Sequence, residues 1–255
     1  MKTSALILFS LLCALPAGAQ TVNVHLKDGS VVKYDSSEFD YIDFSAKKQP
    51  GEQFYLSCPD DHHPHMIDLG LPSGTLWACC NVGASAPEQY GNYYAWGETQ
   101  PKSDYTWENY AYWQNLNGDG YQQSNEFQNI GSDIAGTGYD AATANWGAPW
   151  RMPSLAQCEE LVRNTTYTWT SVNGVYGGKF TGPNGGTMFL PAAGRRWDGG
   201  LYYEGLGGLY RSSSLYEGDP RYGPRYAYHL YFKSGDAYWD YWGRRYDGQS
   251  VRPVR

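Results

Sequence analysis

The sequence predicts an α+β chain in which short strands and ordered loops outweigh helix, with a small β-hairpin ahead of one large domain. Three observations carry this expectation. Glycine and proline supply 31 and 14 of the 255 residues, about 18% against roughly 12% in average usage, which works against long helices. Aromatic residues reach 16% while charged residues are only 18%, the reverse of a disordered chain. Only one segment combines a helix start signal with an apolar face. The net charge of −7 argues against nucleic acid as a partner.

From the N-terminus, Lys2 precedes an apolar run from Ala5 to Leu15, and Ala17-Gly18-Ala19 gives a small-x-small cleavage pattern. Residues 1–19 therefore read as a signal peptide, with a mature chain beginning at Gln20 and secreted or held at the cell surface. No later stretch approaches the roughly 18 to 20 apolar residues of a spanning helix, so no transmembrane segment is expected. Residues 20–45 alternate apolar and polar side chains on either side of Lys27-Asp28-Gly29, and Asp-Gly is a strong hairpin turn signal. Residues 46–53 form a polar linker, and the main domain is expected over 54–255. Its helix starts at Ser154 as N-cap, with Glu159 and Glu160 following and Leu161-Val162 on the apolar face. Cys58, Cys79, Cys80 and Cys158 remain after the signal, and in an exported protein they allow three full pairings. The preferred bridge joins Cys58 to Cys79 or Cys80, across a short intervening segment.

Charge is unevenly distributed. Residues 195–255 hold nine of the 11 arginines and 11 of the 24 tyrosines, and carry about +3 while the rest of the chain carries about −10. Tyr and Arg dominate binding hot spots because they offer large, rigid contact area together with hydrogen bonds. The bland alternative places half of these tyrosines in the core or on edge strands.

Six ordered blocks carry a family resemblance: residues 65–83 (HMIDLGLPSGTLWACCNVG), 90–99 (YGNYYAWGET), 146–161 (WGAPWRMPSLAQCEEL), 189–195 (FLPAAGR), 210–215 (YRSSSL) and 248–254 (GQSVRPV). Together they resemble the Fibrobacter-succinogenes-type major paralogous domain, a family common in exported proteins of gut Bacteroidetes. The pattern is also similar to the formylglycine-generating enzymes, whose W-R-L-P-T-E-x-E-W-E helix start and G-F-R ending correspond to WRMPSLAQCEE and SVRPV here. The resemblance implies a C-type-lectin-like fold of short twisted strands, one or two short helices and long ordered loops. Trp146, Trp150 and Trp169 are then expected to form an aromatic core around the helix, and Arg151 and Arg252 to be satisfied by buried backbone or carboxylate partners. Cys158 stands where the family usually has Trp and is expected to be a buried free thiol. Arg211 stands where Trp often precedes the serines.

Enzymatic readings are weaker. The formylglycine-generating enzymes depend on C-terminal cysteines, and none follows Cys158, so that activity is not carried over. Ser212-Ser213-Ser214 would need a base such as His229 oriented by a third group, and no motif places one. Asp60-Asp61-His62-His63-Pro64-His65 reads as a solvated lead-in segment rather than a metal site, because neighbours on an extended chain point to opposite faces. The loop from Asn115 to Glu126 has oxygen ligands at EF-hand-like spacing but only two carboxylates, and reads as a Gly/Asn-rich surface loop. No metal and no cofactor are expected.

Proteins of this fold with a C-terminal hypervariable patch are the usual targets of diversity-generating retroelements, which mutate adenines, and residues 198–247 resemble such a product. All 12 asparagines lie at or before Asn184, leaving none in the final 71 residues. The sequence thus predicts an exported, non-enzymatic recognition protein whose ligand is a cell-surface protein or a glycan. Its candidate contacts are Tyr202, Tyr203, Tyr210 and Arg211, then Tyr222, Arg225 and Tyr226, and finally Tyr238, Trp239, Asp240, Tyr241, Trp242, Arg244, Arg245 and Tyr246. The competing expectations are a structural envelope or pilus-associated protein whose aromatics are all core, and a calcium-independent lectin that stacks sugars on the same rings.

Overall fold

The computed structural model describes residues 21–25, 30–35, 66–116, 126–219 and 223–255. The signal peptide, the linker, Cys58, the segment from Asp60 to His65, residues 117–125 of the candidate calcium loop, and Tyr222 lie outside the described residues. The chain divides into two compact units, residues 1–49 and 50–255. In the first, β1 (Thr21–His25) pairs antiparallel with β2 (Val31–Asp35), Val24 opposite Val32, as the alternation around the Asp-Gly turn predicts.

The second unit is mixed α+β and mostly sheet. Its strands are β3 (Met66–Asp68), β4 (Leu76–Ala78), β5 (Tyr93–Tyr94), β6 (Thr166–Val172), β7 (Val175–Thr181), β8 (Thr187–Pro191), β9 (Arg195–Trp197), β10 (Gly200–Tyr202), β11 (Gly207–Leu215), β12 (Tyr226–Lys233), β13 (Asp236–Arg244) and β14 (Gly248–Ser250). A seven-stranded sheet runs β10-β9-β14-β11-β12-β13, with β5 also paired to β14, and a separate three-stranded sheet runs β6-β7-β8. The two α-helices among the described residues, α1 (Ala141–Trp146) and α2 (Leu155–Asn164), are both short. Among the described residues no helix is long and apolar enough to cross a membrane.

Helix α2 forms where the sequence places it. Ser154 Oγ accepts from the Gln157 main-chain N–H, and the Gln157 side chain reaches back to the Ser154 N–H, closing a capping box. The helix buries Cys158 and Leu161 against one side of the large sheet and against the three-stranded sheet, in a cluster with Phe180, Leu190, Tyr210, Leu230 and Phe232. Burial pushes the Cys158 thiol up to about 12, which makes it a packing group. The expected tryptophan trio is only partly assembled: Trp146 and Trp150 meet edge to face at 5.7 Å, whereas Trp169 lies on β6 and stacks on Tyr176. The sequence missed α1, whose N-cap Asp140 takes the N–H groups of Ala142 and Thr143.

Arg252 is fully buried. Its guanidinium donates to Asn81 Oδ1 at 2.9 Å and to the Ala78 and Cys79 carbonyls at 3.0 and 2.6 Å, so it ties the C-terminal segment to the loop after β4. Arg151 is half-buried, and its main chain pairs with that of Val254 in both directions.

Candidate functional site

Strands β12 and β13 form a long hairpin at the edge of the large sheet, and the register decides where each aromatic points. Tyr228 lies opposite Trp242, His229 opposite Tyr241 and Tyr231 opposite Tyr238. Between the last two pairs, β12 advances by two residues and β13 by three, so β13 carries a bulge at Trp239-Asp240. The extra residue puts Tyr238 and Tyr241 on one face, which strict alternation would separate.

Two aromatic groups result. On the first face, Tyr231 stacks on Tyr238 at 6.0 Å and meets Tyr241 at 4.9 Å, while Tyr238 and Tyr241 lie 5.4 Å apart. Burial raises the Tyr231 hydroxyl pKa; Lys233 lowers it, and Tyr241, Tyr203 and Tyr238 raise it again. On the opposite face, Trp242 packs between Tyr216 at 5.0 Å and Tyr226 at 4.8 Å, and Tyr216 also meets Tyr228. Tyr203 is 53% exposed, Tyr241 48% and Trp242 43%, values unusual for rings of this size.

The candidate residues therefore divide. Tyr202, Tyr203, Asp240, Tyr241 and Trp242 are exposed, and Tyr226, Tyr238, Arg225 and Arg244 are half-buried. Four others lie in the interior. Tyr210 lies in the main cluster, with its hydroxyl donating to the Pro191 carbonyl at 2.8 Å. Arg211 holds the turn before β14 by donating from Nη2 to the Arg244 and Asp247 carbonyls. Arg245 is buried over the rings of Trp96 and Tyr110, and its Nε donates to the Tyr110 hydroxyl at 2.8 Å. Tyr246 completes the cluster of Tyr93, Tyr105, Tyr110 and Phe127. Trp239 also turns inward, half-buried beneath the Arg163 guanidinium 4.5 Å from its ring, and so packs on α2.

The reason is physical. Arginine can be buried when carbonyls saturate its fork and aromatic faces cover its plane, and residue type alone does not reveal that such partners converge. Tyr216, Tyr228 and Tyr231 were missed as candidates, although the alternation in YAYHLYFK was a signal that every second residue shares a face.

Two of the three serines bond to the main chain through their hydroxyls. Ser212 Oγ donates to the Tyr228 carbonyl, and Ser214 Oγ accepts from the Leu155 N–H at the start of α2. The His229 ring contacts Gln249 instead, with Nδ1 3.5 Å from Gln249 Nε2. Among the described residues no cluster of His, Cys, Asp and Glu could hold a metal ion. Comparison of the chain with protein-family models, with curated proteins and with solved structures returns no significant match.

Proposed function

We propose that the protein is an exported recognition module of C-type-lectin-like architecture. Its β12–β13 hairpin would present aromatic side chains to a cell-surface protein or glycan without calcium and without catalysis. The observation that carries this reading is the exposure of Tyr241 and Trp242 on the two faces of a hairpin anchored in the core through Leu230 and Phe232, together with that of Tyr203 just after β10. Exposed aromatics on a rigid strand pair lose little conformational entropy on binding and cover a large area, which is what a hot spot requires. The six sequence blocks support the lectin-like architecture, and two short helices with a mostly antiparallel sheet are compatible with it. The chain would enter its export route through residues 1–19.

The same reading makes the C-terminal quarter a product of retroelement diversification, which is tested by the coding sequences of independent isolates. Substitutions are expected at Tyr202, Tyr203, Tyr238, Asp240, Tyr241 and Trp242, with Tyr210, Arg211, Arg245 and Tyr246 held constant. Substitutions spread evenly over exposed and buried positions would refute it.

A further inference from the structure

The face of the large sheet that bears Tyr241 continues inward as a polar row across five adjacent strands. Arg195 on β9 lies opposite Gln249 on β14, Arg211 on β11 is opposite His229 on β12, and His229 is opposite Tyr241 on β13. Asp247, in the turn before β14, accepts from Arg195 Nη1 through Oδ2 at 2.8 Å. The row is almost wholly buried, yet much of its hydrogen-bonding capacity is unused. Arg195 Nε, Arg211 Nε, Arg211 Nη1 and His229 Nε2 have no partner, nor do Asp247 Oδ1 and Gln249 Oε1. Unmade hydrogen bonds at buried polar atoms are costly, and six in one row mark a place that something else completes.

We propose that this row is the floor of the recognition site and binds a carboxylate of the ligand. The inference rests on the recognition reading and names the ligand chemistry it would select. Two guanidinium groups face a single carboxylate, so the row carries surplus positive charge. Its unpartnered donors outnumber its unpartnered acceptors. A carboxylate is an acceptor-only, planar group that supplies the missing charge and several lone pairs together, and arginine forks match it geometrically. A neutral hydroxyl would leave the charge uncompensated, and a cation would be repelled. Arg195 is the entry side: its side chain is 24% exposed, whereas that of Asp247 is fully buried, and its guanidinium lies 6.0 Å from the centre of the exposed Tyr203 ring. Arg195 thus links the aromatic surface to the buried row.

An acidic sugar and an acidic peptide side chain offer the same group, and two probes separate them. Glucuronate and N-acetylglutamate amide are titrated at constant ionic strength, with methyl glucoside and N-acetylglutamine amide as uncharged counterparts. The readouts are the side-chain N–H resonances of Arg195 and Arg211 and the ring nitrogens of His229. Saturable millimolar shifts with a carboxylate probe and none with its neutral counterpart are expected, the stronger probe identifying the source. Arg195→Gln should weaken that binding about tenfold or more, and Arg195→Lys should restore part of it, with melting curves confirming a folded domain. Equal response to charged and neutral probes, or no response to either carboxylate, would overturn the proposal and leave bound water as the occupant. That outcome is distinct from failure of the recognition reading, because binding of a carboxylate-free ligand that depends on Tyr203, Tyr241 and Trp242 would preserve the surface while removing this floor.

Discussion

Replacing Gly208 by alanine tests the packing that fixes the hairpin. Gly208 on β11 faces Phe232 on β12, and a Cβ there would lie 2.7 Å from Phe232 Cε2 and closer still to Cζ and Cε1. The ring has little room to retreat. It is fully buried, stacked on Tyr210 at 5.7 Å and edge-on to Phe180 at 6.0 Å, and its Cδ2 is only 3.2 Å from where a Cβ on Gly178 would stand. The Gly208 backbone is ordinary extended strand, so alanine itself would gain about 0.5 to 1 kcal/mol from reduced freedom of the unfolded chain. Overpacking a well-filled core costs about 1 to 3 kcal/mol, and overpacking wins here because the obstructing atoms belong to a wedged ring. The net loss of about 1 to 2 kcal/mol should lower the melting temperature by about 2 to 8 °C in a domain of this size. Phe232→Leu makes room, so in the double variant Gly208→Ala should cost less than it does alone, with a coupling of about 0.5 kcal/mol or more by calorimetric melting. An unchanged or raised melting temperature for Gly208→Ala, or strict additivity in the cycle, would refute the packing argument.

His229 is buried beside Arg211 and Arg195, and burial first, then these two cations, hold its pKa well below the ordinary 6.5. A depressed folded-state pKa contributes stability above the unfolded value that is lost as pH falls below it, at up to about 1.4 kcal/mol per pH unit. Melting temperature should thus fall from pH 7 to pH 5, and His229→Gln should flatten that slope; an identical slope in the variant contradicts the burial argument. Cys158 should resist alkylation in the native protein and react on unfolding, as peptide mapping after timed labelling will show; labelling at the rate of an exposed thiol would contradict its place in the core. Tyr246→Ala should cost about 3 to 5 kcal/mol because its ring completes a buried aromatic cluster, and a melting temperature like the parent's would return Tyr246 to the surface.

Local features were legible in the sequence. The β1–β2 hairpin was marked by alternation around Asp-Gly, and α2 by Ser154. Both depend on neighbours within a few residues, where short-range physics suffices. The burial of Arg252 was also legible through its motif. What could not be read was the division of the Tyr/Arg-rich quarter into two faces and an interior. Density of tyrosine marks the region but not the direction of any side chain, and one bulge in β13 re-phases every residue beyond it. Arg211, Arg245 and Tyr246 look like surface residues by type, and are buried because carbonyls and rings from distant segments converge on them. The polar row of Arg195, Gln249, Arg211 and His229 draws on four strands that are far apart in sequence, so no local pattern announces it.

The central claim, that the exposed aromatics of the hairpin and of the segment after β10 serve recognition, is tested most directly by one comparison. The mature protein and a Tyr203→Ala, Tyr241→Ala, Trp242→Ala variant are applied to glycan and cell-surface-protein arrays beside their melting curves. Hot-spot truncations cost about 2 kcal/mol or more in affinity, whereas exposed substitutions usually change stability by about 0.5 kcal/mol or less each. The account predicts that the parent binds a defined set of ligands and that the variant melts within a few degrees of it yet loses that binding by about thirtyfold or more. A variant that binds as the parent does, or one that unfolds far below it, would contradict the claim and assign these rings to the scaffold.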